Sequence, residues 1–327
     1  MNKELEKFYE QGILEINQIQ PNDYFRNYRM KDTEQVIFEV NIDSGLGGEE
    51  VNIAMMNDMH INYCDEVDET DEEVMYTKAR RWWNANGSSI VPVDNAMDAA
   101  QYFDQTVIAG DTMDLLAHGT MELTKKHVFD RDPNVLIPVG SHEFSKQVGT
   151  GVSDKMTLDE RREIVRKFWI HDIHYATKDV KDKVICVGVD NSAGYYYDGV
   201  AEKLQAEVER ARKENKIILL FQHEPLSTGV PEDEKCRALY AAYMDVSNFY
   251  DKDLIYSKKK PLKHDDEKMY EVLKNSTDVI KGVFAGHLHS LFYNEINFDN
   301  GKKLPQYTCV GNTYFGYAGV ITRIIVK

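Results

Sequence analysis

"VFAGHLHS", residues 283–290, places His287 and His289 two apart, directly after an apolar run that reads as a buried strand. Such a pair is either one edge of a metal site or two histidines that share a turn. What stands at the ends of the other strands decides between the two.

Working outward, the same form recurs: short β-branched or apolar runs that stop at polar residues. These are "TVIAGD" (106–111), "NVLIPVGSHE" (134–143), "KVICVGVDNS" (183–192) and "KIILLFQHEP" (216–225). Helical periodicity fills several intervals, in "EEVMYTKARRWWNA" (72–85), "LDERREIVRKFW" (158–169) and "GVAEKLQAEVERARKEN" (199–215). Near-continuous apolar strands interleaved with helices predict an α/β protein whose sheet is covered on both faces. Nearer the start, "QVIFEVNI" (35–42) and "VNIAMM" (51–56) flank the glycine-rich "DSGLGGEE" (43–50), which predicts a hairpin. Residues 291–327 read as consecutive strands with a hairpin turn at "DNGKK" (299–303). Leu5, Phe8, Tyr9, Ile13, Leu14 and Ile16 recur at helical spacing. Residues 1–34 are therefore expected to form a helical extension, and 35–327 one main domain with an inserted segment around 65–105.

The 327 residues are 42% hydrophobic, enough for a substantial core. Charge narrows the partners: 39 basic against 55 acidic residues leave −16, which repels the backbone of long nucleic acids and gives no steering toward an anionic membrane. A small phosphorylated substrate stays open, because bound cations reverse the potential inside a cleft. No apolar stretch approaches the roughly 20 residues of a membrane helix, and "MNKELEKFYEQGILEINQIQ" lacks the uninterrupted apolar region of a signal peptide, so the cytoplasm is expected. Cys64, Cys186, Cys236 and Cys309 are widely spaced and read as reduced thiols.

The residues that follow the strands are Asp58 and His60, Asp111 and Asp114, His142, His223, and then His287 and His289. In an open α/β sheet the carboxyl ends of the strands share one rim, where residues distant in sequence meet. Carboxylates converging with imidazoles suggest a metal site. Mixed oxygen and nitrogen donors suit divalent transition ions, manganese first and also iron, zinc, nickel or cobalt. The eight side chains exceed the needs of one ion, and two ions sharing a carboxylate would use them.

In order along the chain the motifs are "DMH" (58–60), "GDTMD" (110–114), "GSHE" (140–143), "QHEP" with His223, and "GHLH" (286–289). This series resembles the calcineurin-like metallophosphoesterases over about residues 35–327. The resemblance implies a four-layer α/β/β/α sandwich with a dinuclear metal site at the strand ends. It implies that Asp58, His60 and His289 hold one ion, that position 141, His223 and His287 hold the other, and that Asp111 bridges them. The implied reaction is attack by a metal-bridging hydroxide on a small phosphate mono- or diester. By the same resemblance His142 protonates the leaving group, and Asp114 accepts a hydrogen bond from it, fixes its tautomer and raises its pKa. A helix-capping role for Asp114 is compatible with this. Glu143 is expected to make a structural hydrogen bond.

One position departs from the family pattern. Ser141 stands where the family has asparagine, a metal ligand that also borders the phosphate; serine is shorter and a poorer donor. Water filling the gap, an engineered weakening of turnover, or a fold retained as a binding scaffold would each account for it. A nuclease of the same superfamily is a further alternative, disfavoured by the acidity. Four other signals are read without function: His171 and His174 as packed or surface histidines, Tyr195–Tyr197 as a packed loop, Cys64 as an inert thiol, and "GLGG" (45–48) as a turn.

Overall fold

The computed structural model describes residues 13–14, 26–30, 35–71, 89–144, 156–226, 265–289, 291–312 and 318–327. Twelve strands in these segments form two six-stranded sheets. The first contains β1 (Ile13–Leu14), β2 (Arg26–Met30), β3 (Gln35–Ile42), β4 (Val51–Met56), β5 (Gln105–Ile108) and β12 (Gly319–Val326), in the order β1-β2-β3-β12-β4-β5. The second contains β6 (Tyr175–Val180), β7 (Val184–Val189), β8 (Ile217–Phe221), β9 (Ile280–Ala285), β10 (Phe292–Asn297) and β11 (Lys303–Thr308), in the order β10-β11-β9-β8-β7-β6. The helices are α1 (Ile90–Ala100), α2 (His118–Thr124), α3 (Leu158–Phe168), α4 (Val200–Glu214) and α5 (Asp266–Asn275).

Alternation of side chains along each strand separates the layers. On β4, Ala54 and Met56 pack with α1 and α3, whereas Val51, Ile53 and Met55 face the second sheet. On β8, Ile217, Leu219 and Phe221 face the first sheet, and Ile218 and Leu220 pack under α4 and α5. The order is thus helices, sheet, sheet, helices, and the central strands are apolar throughout because both of their faces are covered. Phe38, Phe221 and Phe284 are fully buried between the sheets, each contributing about 1.5–3 kcal/mol by leaving water.

Local chemistry sets the helix ends. Thr157 and Glu160 form a reciprocal capping box at the start of α3. Helix α4 begins after Gly199 and stops at Asn215, which takes a left-handed conformation. Its buried stripe is Val200, Ala201, Leu204, Val208 and Ala211.

Two expectations are corrected. Strands β3 and β4 do not form a hairpin: β12 lies between them, parallel to β3 and antiparallel to β4. The final stretch does consist of consecutive strands, although not all of them are neighbours in one sheet. Strands β10 and β11 do form the hairpin around Gly301, but β11 then pairs parallel with β9 and β12 crosses to the other sheet. The interior places of β11 and β12 depend on distant partners, which local periodicity does not encode. Ile13–Leu14 are a short strand paired with Arg29 and Met30, not part of a helix, and Arg26–Met30 pair antiparallel with β3, so this part of the 1–34 extension is sheet. The remainder of that predicted helix and the helix read at 72–85 lie outside the described residues. The run 134–139 forms only an isolated parallel bridge, Val107 to Leu136.

Candidate metal centre

The carboxyl ends of β4 and β5 in one sheet and of β8, β9 and β11 in the other come to one rim. Backbone hydrogen bonds zip the first two ends together: Asp58 N donates to Gly110 O (3.1 Å), His60 N to Asp111 O (2.9 Å) and Asp114 N to Ile61 O (2.9 Å). Across the sheets, His287 N donates to Asp58 Oδ2 (2.9 Å) and Asn312 N to Asn57 O (2.8 Å).

Among the described residues, seven other than glycine have positive φ, and five of them are Asp58 (51°), His60 (45°), Asp111 (48°), His287 (68°) and His289 (50°). Left-handed backbone is uncommon outside glycine and costs on the order of 1–3 kcal/mol per residue where surroundings enforce it. Among the described residues, this left-handed backbone is concentrated on the predicted ligands.

The side chains meet in three groups: Asp58, His60 and His289; Asp111, His223 and His287; and His60, Asp114 and His142. In the first, His289 Nε2 lies 3.1 Å from Asp58 Oδ1 and 3.1 Å from His60 Nε2, with His60 Nε2 3.9 Å from Asp58 Oδ1. In the second, His223 Nε2 lies 3.0 Å from Asp111 Oδ2 and 3.2 Å from His287 Nδ1. Donor atoms sharing one ion at about 2.0–2.2 Å are themselves roughly 3–3.5 Å apart; both distances of the second triplet and two of the three in the first meet this, the His60–Asp58 pair at 3.9 Å being wider. Among the described residues, the buried His287 Nε2 has no hydrogen-bond partner, a costly state for a polar atom unless something else satisfies it.

In the third group, Asp114 Oδ1 is 2.9 Å from His60 Nδ1 and 3.2 Å from His142 Nδ1, and Asp114 Oδ2 accepts from Asn62 Nδ2 (2.7 Å). One carboxylate therefore orients two imidazoles. His142 Nδ1 is also 3.0 Å from the Asp114 carbonyl oxygen, and its Nε2 faces Asp111 Oδ2 at 3.8 Å. The helix-cap alternative for Asp114 is not seen: Ala117 occupies the N-cap of α2, and Asp68 accepts from His118 N and Gly119 N.

Electrostatics follow from burial and pairing. Burial alone would raise Asp58, but the charge and hydrogen bond of His289 outweigh it and hold its carboxyl well below the usual range. Asp111 and Asp114 are likewise buried, yet His223 and His142 respectively bring them well down. Burial and then the charge of His223 push His287 down to about 3, leaving it neutral with a lone pair to offer. Burial would lower His223, but Asp111 prevails and lifts it to about 10.

Ser141 lies between Gly140 and His142, whose backbone N–H donates to Asp111 Oδ1 (3.0 Å), so position 141 borders Asp111. Glu143 is fully buried and accepts from four backbone N–H groups: Gly140 (2.8 Å), Asp111 (3.2 Å), Thr112 (2.6 Å) and Met113 (3.2 Å). It ties the two motif loops together, and burial followed by the charge of Asp111 raises it to about 7.

No family model matches the sequence, and no curated protein matches it significantly. Among solved structures, a dimetal phosphatase from Danio rerio is similar at 12% identity and TM-score 0.43, over 80% of this chain and 88% of that one. A purple acid phosphatase from yellow lupin seeds (12% identity, TM-score 0.42) is matched over 91% of this chain and 48% of its own length, so the chain spans about half of it. The phosphopantetheinyl hydrolase of Mycobacterium tuberculosis (9%, TM-score 0.42) is matched over 85% and 96%. At this distance the chemistry of the site rests on its own side chains.

Several supporting residues carried no signal in the sequence. Asn57 and Asn62 bind the carboxylates of Asp58 and Asp114. A Cβ on Gly311 would come within 3.0 Å of Asp58 Cβ and 3.3 Å of the His289 ring. Single asparagines and glycines in loops are too common to stand out. Of the signals set aside, His171 Nε2 accepts from Ile137 N (2.9 Å), His174 Nδ1 bonds Asp190 (2.9 Å), and Cys64 is buried against Leu115 and Ala117.

Proposed function

We propose that this chain is a metal-dependent hydrolase of a small phosphate mono- or diester. The observation that carries the reading is the pair of donor triplets, each spaced for one ion and each built on strained left-handed backbone. Asp58, His60 and His289 would hold one divalent cation; His223, His287 and position 141 would hold the other, with Asp111 between them. Two such cations supply an acidified water and neutralise charge on a phosphoryl group at neutral pH. His142 holds the proton for the leaving oxygen. Asp114 anchors its Nδ1, so the proton to be transferred sits on Nε2, on the Asp111 side. Ser141 and His142 border the phosphate.

The test is metal analysis with hydrolysis of p-nitrophenyl phosphate and its bis-ester, after loading with manganese, iron, zinc, nickel or cobalt. Ser141→Asn should raise occupancy of the second site and increase the rate, because an amide oxygen reaches further and donates better than a hydroxyl. The serine also favours a second reading, a scaffold that holds metal without turnover. Protein that binds metal yet cleaves neither ester, with Asn at 141 as well, would establish that alternative.

A further inference from the structure

Beside the His142 loop lies a buried cation that the metal centre does not use. Arg162 on α3 is 3% exposed, and among the described residues its Nε, Nη1 and Nη2 all lack a hydrogen-bond partner. Its guanidinium carbon lies over two aromatic rings, Phe144 (4.6 Å to the ring centre) and Tyr197 (4.5 Å). Such cation–π contacts engage the faces of a guanidinium and leave its edges, where a planar fork of N–H groups takes an oxyanion.

The nearest carboxylate does not satisfy that fork. Asp190 Oδ2 is 3.8 Å from Nη2, and the oxygens of Asp190 accept from Ser192 N (2.9 Å), Ser192 Oγ (2.6 Å) and His174 Nδ1 (2.9 Å). A buried guanidinium with its donors unmet is costly, and in native proteins such a group points to a missing acceptor.

Its place relates it to the reaction. Phe144 follows His142 by two residues, and Arg161 Nη1 donates to the Phe144 carbonyl (2.6 Å), so α3 is fastened to the loop of the acid. Tyr197 belongs to the loop after β7, the strand that pairs with β8. An acid must face the leaving oxygen, so whatever lies beyond His142 lies on the leaving-group side.

We propose that Arg162 recognises a second oxyanion, a carboxylate or a further phosphate, carried by the alcohol portion of the substrate. This rests on the phosphate-ester reading above. Tyr197, half-buried and tilted against His174 at 4.1 Å between ring centres, closes the cation from solvent and is the side chain that moves to admit the group.

The experiment compares kcat/KM for phenyl phosphate and 4-carboxyphenyl phosphate in wild type, Arg162→Met and Arg162→Lys, with melting temperatures. The wild type should favour the carboxylated ester, and Arg162→Met should lower that ratio by about 10- to 100-fold, the worth of a charged hydrogen-bond pair. Arg162→Lys, the safer variant for folding, keeps the charge without the fork and should retain only part of the preference. No preference in the wild type, or an equal fall on both esters in both variants, overturns the proposal. Calorimetry of metal-free protein with phenylphosphonate and 4-carboxyphenylphosphonate separates it from failure of the hydrolase reading. Carboxylate-dependent binding lost in Arg162→Met supports the subsite even without turnover. Inorganic phosphate bound by the metal-free wild type and not by Arg162→Met overturns the assignment to substrate, since the occupant is then a free anion.

Discussion

Asp58, His60, Asp111, His287 and His289 hold left-handed backbone, and the first four are buried as well, which is unfavourable for an isolated loop. What keeps them there is a set of contacts made by individual atoms. Asp114 is central, because its one carboxylate meets His60, His142 and Asn62. Asp114→Asn removes the charge that both imidazoles face and puts an N–H either toward them or against the donating amide of Asn62. It should lower metal affinity or kcat/KM by about 10- to 100-fold, as read by elemental analysis and steady-state kinetics; unchanged values would remove Asp114 from the machinery. Protonation is equally specific. His223 in the folded protein is raised above its ordinary value near 6.5, to about 10, by Asp111. Its contribution to the stability of the metal-free form is therefore fully present below pH 6.5 and lost as pH rises through about 10. An ion that takes His223 must displace this proton, so metal affinity should climb across that window, about tenfold per pH unit where one proton leaves. Calorimetry in buffers of different ionisation enthalpy at pH 8 measures the release directly, and proton-independent binding there would contradict it.

At the scale of elements, close approaches position the strand ends. A Cβ on Gly110, which sits at φ 81°, would meet the His223 ring at 2.5 Å, and one on Gly140 would run into Asp111. The loops of the two motifs pack against the ligands with no room for a side chain. The same device docks α1 on β12: a Cβ on Gly319 would collide with the backbone of Ala96. Gly319→Ala is expected to destabilise by about 1–3 kcal/mol through overpacking, seen as a lower urea midpoint with an unchanged slope, and a neutral result would mean that α1 shifts freely. Much at this scale was legible beforehand. Helices α3 and α4 and strands β7, β8 and β9 follow from periodicity, and the "DNGKK" hairpin follows from its turn residues. The position of β12 between β3 and β4 was not legible, because "VNIAMM" and "GVITRIIV" show the same apolar pattern whichever strand they pair with.

Across the whole molecule, the centre joins two sheets: Asp58, His60 and Asp111 come from one, and His223, His287 and His289 from the other. Ions bound there tie the sheets together and bind only the folded form. Chelation should therefore lower the melting temperature on the order of 5 °C, since metal at a hundredfold over Kd adds about 2.7 kcal/mol. Scanning calorimetry with and without chelator checks this, and identical transitions would argue that the triplets hold no ion. Against a surrounding charge of −16, cations held there would be the local exception that an anionic substrate needs.

By itself the sequence determined the α/β class and the identity of the strand-end acids and imidazoles, because both are written locally, in the period of apolar residues and in motifs a few residues long. Only the tertiary structure decided which strands are neighbours, that Asp114 serves two histidines, that Glu143 binds four amides, and that Arg162 lies over two rings with no acceptor among the described residues. Most of those contacts join segments distant in sequence, and such contacts exist only once the chain has closed around them.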